Sequence, residues 1–272
     1  MTTEELLNQG DVQAALLQLQ SQIRSNPAKA ELRTFLFQLL VVLGEWERAL
    51  TQLNVVGELD ASSLAMVSMY RQVIACERLR EEVFLGKKDP IIFGKPNEWV
   101  ALLVQALKLT AQGEYLKSQA LRDQAFATAP ATSGKMDEQP FAWLADSDSR
   151  IGPVIEAMVD GRYLWVPVEN IASIVIDEPA DLRDVVWIPA HFKWLNGGES
   201  YGVLPSRYPF SYQHDSLIAL SRKTEWQDCG DDLFLGIGQK ILATDVDEYA
   251  LMDVRSIQFD NAPIEEEATQ GG

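Results

Sequence analysis

The chain has 272 residues, of which 47 % are hydrophobic, and this is enough for two domains or for a repeat array with one globular domain. Its net charge of −17 argues against binding to nucleic acid or to an anionic membrane, because both would repel it. The two cysteines form no disulfide framework, and the amino terminus lacks the basic and apolar stretches of a signal peptide, so we expect a cytosolic protein.

A pattern of glycine, alanine and leucine near the amino terminus repeats at a fixed interval, in the register of a helix. Four pairs of residues are 34 positions apart, which is the tetratricopeptide period: Gly10 and Gly44, Ala15 and Ala49, Leu16 and Leu50, and Leu19 and Leu53. Gly113 marks a third, weaker copy, in which Ser118 and Arg122 stand where the better copies have Ala and Leu. Such repeats form a surface that binds a segment of another protein, and they seldom carry a catalytic site.

Helical periodicity continues through the first half of the chain. Helix pairs are predicted around Gly10 and around Gly44, and a single long helix is predicted over 62–84. A loop rich in glycine, lysine and proline covers 86–96, and a last helix pair covers 97–129.

Beyond a connector at 131–139 the helical periodicity ends and short strands are predicted, with a hairpin turn at Asp160-Gly161. The predicted strands cover 163–168, 171–176, 185–188, 201–204, 217–221 and 250–259. We therefore predict an α+β protein. Its parts are a tetratricopeptide-like helical repeat domain at 1–130, a mostly-β or mixed domain at 140–260, and an acidic tail at 261–272.

The stretch Asp146-Ser147-Asp148-Ser149-Arg150 is the candidate metal site, since alternating carboxylates in a loop can face one cation. The spacing does not match a calcium-binding EF-hand loop, because Ile151 and Ala157 occupy its sixth and twelfth positions. We expect Arg150 to pair with these carboxylates in a structural turn, and we predict no metal and no cofactor. A metal-dependent hydrolase that uses Asp146, Asp148 and Glu156 is the alternative.

The remaining motifs indicate no catalytic site. His191 and His214 are interpreted as ordinary hydrogen-bonded or surface histidines, and no serine lies in a Gly-x-Ser-x-Gly pattern. Gly236-Ile237-Gly238 lacks the third glycine and the following helix of a dinucleotide-binding loop. We therefore predict no catalytic residue.

Aromatic residues cluster in the second half of the chain. Aromatic side chains and arginine are enriched at the centres of protein interfaces, which makes four residues candidates for a partner-binding surface: Trp187, Trp194, Arg207 and Tyr208. Burial in the core is the alternative for each of them.

Five stretches give the sequence a family resemblance: 70–78, with Tyr70, Glu77 and Arg78, then 146–156, 161–167, 182–187 and 207–209. In these stretches the chain resembles the ImpE family, also called TagJ or SciE, accessory proteins of bacterial type VI secretion. The resemblance extends from the repeats to about residue 259. Six residues of the central motif are expected to have structural roles: Asp146, Asp148, Arg150, Gly152, Pro153 and Glu156.

The resemblance implies a non-enzymatic cytoplasmic adaptor. Family members are expected to recognise an amino-terminal helix of the small sheath subunit TssB, and they have been linked to ClpV, the ATPase that recycles the sheath. A repeat groove binds such a helix by burying its apolar stripe, and the first helix of each pair lines the concave side. The candidate groove residues are Gln38 and Val41 in the second copy, and Leu103 and Leu107 in the third. Packing between helices is the alternative role of each, and a chaperone or scaffold for another client is the alternative function.

Overall fold

The computed structural model of the chain describes residues 1–95, 97–230 and 232–261. The predicted acidic tail lies outside these residues, except for Asn261. The helices are α1 (Thr3–Asn8), α2 (Val12–Ser25), α3 (Ala30–Val42), α4 (Trp46–Leu59), α5 (Leu64–Phe84), α6 (Glu98–Ala111), α7 (Tyr115–Thr128) and α8 (Ser216–Ala219). None of the described helices is long and apolar enough to cross a membrane.

The first seven helices follow the predicted plan of helix pairs. Short turns join α1 to α2, α3 to α4 and α6 to α7, and each turn contains a glycine with positive φ: Gly10, Gly44 and Gly113. Positive φ favours glycine because a β-carbon would crowd the backbone there. The repeated Ala15, Leu19, Ala49 and Leu53 are completely buried, so the 34-residue pattern marks the packing face of the helices.

The third copy departs from the repeat pattern because it contains a buried polar contact. The Ser118 hydroxyl donates to the carbonyl of Ala106 at 2.8 Å, which ties α7 to α6. The Arg122 guanidinium donates to the same Ser118 hydroxyl at 2.9 Å. Both side chains are buried, and hydrogen bonds satisfy them where the better copies use Ala and Leu.

The strands are β1 (Ile91–Ile92), β2 (Gly134–Met136), β3 (Gln139–Phe141), β4 (Leu144–Asp146), β5 (Val154–Val159), β6 (Arg162–Pro167), β7 (Ile171–Ile176), β8 (Trp187–Trp194), β9 (Glu199–Pro205), β10 (Thr224–Asp228), β11 (Phe234–Gly238), β12 (Ile241–Thr244), β13 (Glu248–Ala250) and β14 (Ser256–Phe259). The described strands form one large sheet in the order β1-β6-β5-β9-β8-β7-β14-β2-β3. In this sheet β1 pairs in parallel with β6, and the other neighbours are antiparallel. Two small sheets contain β10-β11 and β13-β12-β4.

Most strand predictions are confirmed. Strands β6, β7, β8 and β9 cover or overlap the first four predicted segments, and Asp160-Gly161 forms the hairpin turn between β5 and β6. The α+β fold class is likewise confirmed. The predicted strand at 250–259 is only partly right, because β13 ends at Ala250 and β14 begins at Ser256.

The predicted strand at 217–221 is wrong, and helix α8 occupies most of that segment. The carboxylate of Asp215 accepts hydrogen bonds from the backbone N–H groups of Leu217 and Ile218, at 2.9 and 3.0 Å. A side chain that accepts from these positions caps the amino terminus of a helix, and this local signal outweighs the apolar run that suggested a strand.

The large sheet has an apolar core on each face. Along β5, Val154 and Met158 belong to the core that the helices share, whereas Ile155 and Ala157 belong to the core on the other face. Leu242 of the small sheet packs into this second core. Helices and sheet thus share a core. Helix α7 ends at Thr128 and β2 begins at Gly134, and the division of the chain into two domains stays a prediction.

Gly44→Ala should destabilise the protein more than Gly113→Ala. Both glycines have positive φ, so each alanine introduces the left-handed penalty of about 1–2 kcal/mol. A β-carbon at Gly44 would in addition overlap the Tyr212 ring, whereas one at Gly113 meets no atom within 4 Å. We expect this overlap to cost about 1–3 kcal/mol more in the free energy of unfolding, measured in urea. Equal losses in the two variants would contradict the packing described for Gly44.

Candidate functional site

Charged side chains from both halves of the chain meet around the motif at 146–156. In the described part of the chain this charge cluster contains four cations and four carboxylates: Arg80, Arg150, Arg207, Lys240, Glu77, Asp146, Asp148 and Glu156. All are buried except Arg150, whose side chain is 10 % exposed. A buried charge is tolerated when it is paired and hydrogen-bonded, and here the two signs balance.

Glu156 lies at the centre of the charge cluster. It is on β5, where strand alternation turns its side chain towards the helices. Arg80 of α5 donates to both carboxylate oxygens, from Nε to Oε1 at 2.6 Å and from Nη2 to Oε2 at 3.1 Å. Lys240 Nζ lies 2.8 Å from Oε2, and the Tyr163 hydroxyl donates to Oε1 at 2.6 Å. Burial alone would raise the pKa of Glu156, but the charges of Arg80 and Lys240 outweigh it and hold the pKa well below that of an ordinary carboxyl group.

Arg80 and Glu77 connect helix α5 to the sheet. They lie one turn apart on α5, and Arg80 Nη1 donates to Glu77 Oε1 at 2.9 Å. The second oxygen of Glu77 accepts from the Trp187 indole of β8 at 2.8 Å. Arg80 also donates to the backbone carbonyl of Arg207 at 3.0 Å. A single turn of α5 therefore bonds to strands β5 and β8 and to the segment after β9.

Arg207 joins that segment to the end of helix α3. Its guanidinium donates to the carbonyls of Val42 at 2.8 Å and Val41 at 3.0 Å, and it also bonds to the carbonyl of Ala219. The last carbonyls of a helix lack partners within the helix, and the helix dipole favours a cation at this end. Burial lowers the pKa of Arg207 to about 10. The side chain thus acts as a cap supplied from the other half of the chain.

The motif itself forms a turn held by its own side chains. The backbone N–H of Asp148 donates to Asp146 Oδ1 at 2.9 Å, and the Tyr208 hydroxyl donates to the same oxygen at 2.9 Å. Lys240 pairs with the other oxygen of Asp146. Arg150 Nε donates to Asp148 Oδ1 at 2.9 Å, which confirms the predicted ion pair within the turn.

Comparison with known proteins identifies the family of the chain. A family model described as ImpE protein matches residues 138–258, which include the motif and the strands from β3 to β13. The chain is 52 % identical over 261 residues to the type VI secretion system accessory component TagJ of Pseudomonas aeruginosa PAO1, and the match covers 96 % of this chain and 92 % of that protein. The chain belongs to the ImpE family. The predicted resemblance is therefore confirmed.

A solved structure shares the fold over almost the whole chain. The X-ray crystal structure of a Vibrio parahaemolyticus protein superimposes with a TM-score of 0.87 at 26 % sequence identity, and the match covers 98 % of each chain. Helices and strands are therefore arranged alike in the two proteins, including the helices that precede the segment matched by the ImpE model.

The two motif residues not yet described, Gly152 and Pro153, also make structural contacts. Gly152 has a φ of +61°, and a β-carbon there would overlap the Phe126 ring of α7, so glycine allows α7 to approach the turn. The carbonyl of Pro153 accepts from the backbone N–H of Val168 at 3.1 Å. These contacts join the motif to α7 on one side and to the segment after β6 on the other.

The carboxylates of the hydrolase alternative are bonded to cations of the chain. Asp146 and Glu156 share Lys240, and Asp148 faces Arg150, so positive charge already occupies the positions that a divalent cation would need. Over the described residues, no three His, Cys, Asp or Glu side chains are grouped so that they could hold a metal ion. The structure therefore gives the hydrolase alternative no support.

The eight predicted partner-binding residues are all buried. Val41, Leu103 and Leu107 lie in the core between the helices and the sheet, and Gln38 reaches the wall of a polar groove beside the start of α3. The second set is buried among aromatic, backbone and carboxylate groups: Trp187 beside Trp46, Trp194 on Phe192, Arg207 at the end of α3, and Tyr208 against Asp146. Each side chain thus has a packing or hydrogen-bonding role, and partner binding through these residues stays a prediction.

The charge cluster includes residues that the sequence analysis did not single out for it. Glu77 and Arg80 fall in the helical register of the buried residues Tyr70, Val73 and Phe84, and two charges on an apolar stripe are a signal of buried pairing. Lys240 gave no comparable signal, since it lies between two short strands and is 94 positions from Asp146.

Glu156→Gln should lower the free energy of unfolding by about 3–5 kcal/mol at pH 7, since it leaves Arg80 and Lys240 buried without their central anion. The folded pKa of Glu156 is depressed, so its contribution is present above its ordinary pKa of 4.5 and is lost as the pH falls below that value. The difference between wild type and variant should therefore shrink between pH 7 and pH 3 in urea titrations.

The matched control is Glu47→Gln, which removes a carboxylate whose side chain is 75 % exposed and pairs with Arg78. We expect this change to cost less than about 1 kcal/mol at pH 7. A Glu156→Gln loss that is equally small, or that does not change with pH, would contradict the central position of Glu156.

Proposed function

We propose that this protein is a non-enzymatic adaptor of a bacterial type VI secretion system and that it acts by binding another protein of that machinery. The observation that carries the proposal is the 52 % identity to the accessory component TagJ over 96 % of the chain. Identity at this level over nearly the full length of both proteins supports a shared role. The proposal assigns a cytoplasmic location, as the family resemblance implies.

The chemistry of the charge cluster supports a role without catalysis. Its carboxylates are bonded to Arg80, Arg150 and Lys240, and Arg207 caps a helix. A general base or nucleophile needs a group that can reach a substrate, whereas Asp146, Asp148 and Glu156 are each at most 5 % exposed. The charge cluster around the motif therefore supports a scaffold.

The proposed partner is the amino-terminal helix of the sheath subunit TssB, as the family resemblance implies, and the ATPase ClpV is a second candidate partner. The charge of −17 favours a partner segment that carries lysine or arginine, because opposite charges raise the association rate. A helix with an apolar stripe and basic flanks can bury its stripe in a groove of this acidic protein.

A labelled peptide of the cognate TssB amino-terminal helix should bind the full chain saturably in fluorescence anisotropy. Binding should weaken when the salt concentration is raised, because salt screens attraction between exposed charges. The control is a peptide of the same composition with its apolar residues scattered around the helix, which should bind far more weakly. If the cognate peptide shows no saturation at high micromolar concentration, TssB is not the partner, and a chaperone or scaffold for another client becomes the preferred function.

A further inference from the structure

A groove of about 500 Å³ runs between helix α5 and the face of the large sheet. One wall is formed by Met69, Val73 and Cys76 of α5. The other wall contains Pro189 of β8 and Tyr201 of β9. The groove shares none of its lining residues with the charge cluster.

The groove exists because the helices cover only part of the sheet. Along β8, Trp187 is buried in the core under the helices, Pro189 is half-buried, and Lys193 is exposed. Strand β9 changes in the same way, from the buried Val203 to Tyr201, which is 78 % exposed. Alternate residues of a strand share a face, so these side chains mark the place where the helical cover ends.

The uncovered part of this face is apolar where it adjoins α5. Tyr201 stacks on His191 with ring centroids 4.4 Å apart, and Val175 of β7 lies beside His191 in the sheet register. Val175 is 49 % exposed, and Met69 on the facing helix is 39 % exposed. Adjacent exposed apolar side chains with a polar rim are typical of a protein interaction site.

The length and floor of the groove favour a helix as its occupant. The residues of α5 that line it extend from Ala65 to Cys76, which is about 16 Å or three helical turns at a rise of 1.5 Å per residue. Strand β8, which contributes Pro189 to the sheet side of the groove, is paired on both sides, with β7 and with β9, so an extended segment could not pair with β8. A helix satisfies its own backbone and can bind through side chains alone.

The charge of the groove favours a basic occupant. Asp160 and Asp177 are among its lining residues, and the described residues that line it include no lysine and no arginine. Glu199 lies at the rim, where its carboxylate bonds to His191 Nε2 at 3.0 Å and lies 3.6 Å from Lys193 Nζ. Arg162 lies 4.0 Å from Asp160, so the three carboxylates still outnumber the two cations beside them. An apolar floor with acidic margins complements a helix that carries an apolar stripe flanked by lysine or arginine.

We propose that the groove between α5 and strands β8 and β9 binds a basic amphipathic helix of a partner protein over about three turns. This rests on the proposed function, since it locates the surface on which the partner helix of the adaptor docks. Apolar residues of that helix contact Met69, Val73 and Tyr201, and its basic residues face Asp160 and Asp177.

The test measures binding to the full chain with three labelled peptides: the TssB amino-terminal helix, a model helix of leucine and lysine with one apolar stripe, and the same model helix with glutamate in place of lysine. The groove variants are Met69→Lys and Tyr201→Lys, which remove apolar contact and repel a basic helix. Leu116→Lys is the control, because Leu116 of α7 is 69 % exposed and does not line the groove.

We expect each groove variant to weaken binding of the two basic peptides at least about tenfold, as loss of an interface anchor does, and Leu116→Lys to change it by less than about twofold. Both groove positions are exposed, so the thermal midpoint of unfolding should stay close to that of wild type and show that the variants fold. Asp160→Asn combined with Asp177→Asn should slow association and reduce its salt dependence.

The outcomes separate this inference from the proposed function. If the TssB peptide binds wild type and both groove variants equally, the groove is not the site, although TssB remains the partner. If only the leucine–lysine helix binds and the groove variants abolish its binding, the groove assignment stands and TssB is not the partner. If no basic peptide binds wild type, or if the glutamate helix binds as well as the lysine helix, the groove assignment is wrong.

Discussion

The contact between Glu156 and Arg80 joins strand β5, which begins at the end of the motif, to α5, the longest of the described helices. Glu77 continues the contact to Trp187, and the carbonyl of Arg207 accepts from Arg80. Burying ions costs several kcal/mol for each, and their pairing offsets this cost only when every partner is in place. The charge cluster therefore penalises any arrangement in which the helices shift along the sheet.

The second half of the chain covers part of the surface of the helical repeats. The end of α3 is covered by Arg207, and α3 contacts the 3₁₀ turn Leu182–Val185 of the second half of the chain. Trp46 of α4 packs against Trp187 of β8, with ring centroids 5.7 Å apart. The helices thus use apolar surface to hold their own sheet. The α5 groove lies where this helical cover of the sheet ends.

The sequence predicted the structural features that depend on residues close together in the chain. The 34-residue pattern identified the helix pairs and their buried Leu19 and Leu53, because helical periodicity depends on near neighbours. It could not predict the charge cluster, since Arg80 and Glu156 are 76 positions apart and meet only in the folded chain. Likewise, aromatic composition does not show which face of a strand is covered, so Trp187, which is completely buried, and Tyr201, which is 78 % exposed, could not be told apart.

A double-mutant cycle between Arg80 and Glu156 tests the central interaction most directly. The free energy of unfolding would be measured in urea for wild type, Arg80→Met, Glu156→Leu and the double variant. The structure predicts a coupling energy of at least about 2 kcal/mol, because each single change leaves a buried charge without its partner and the double change removes both. Additive losses, with a coupling energy below about 0.5 kcal/mol, would mean that the two side chains do not act together and would contradict this account of how helices and sheet are joined.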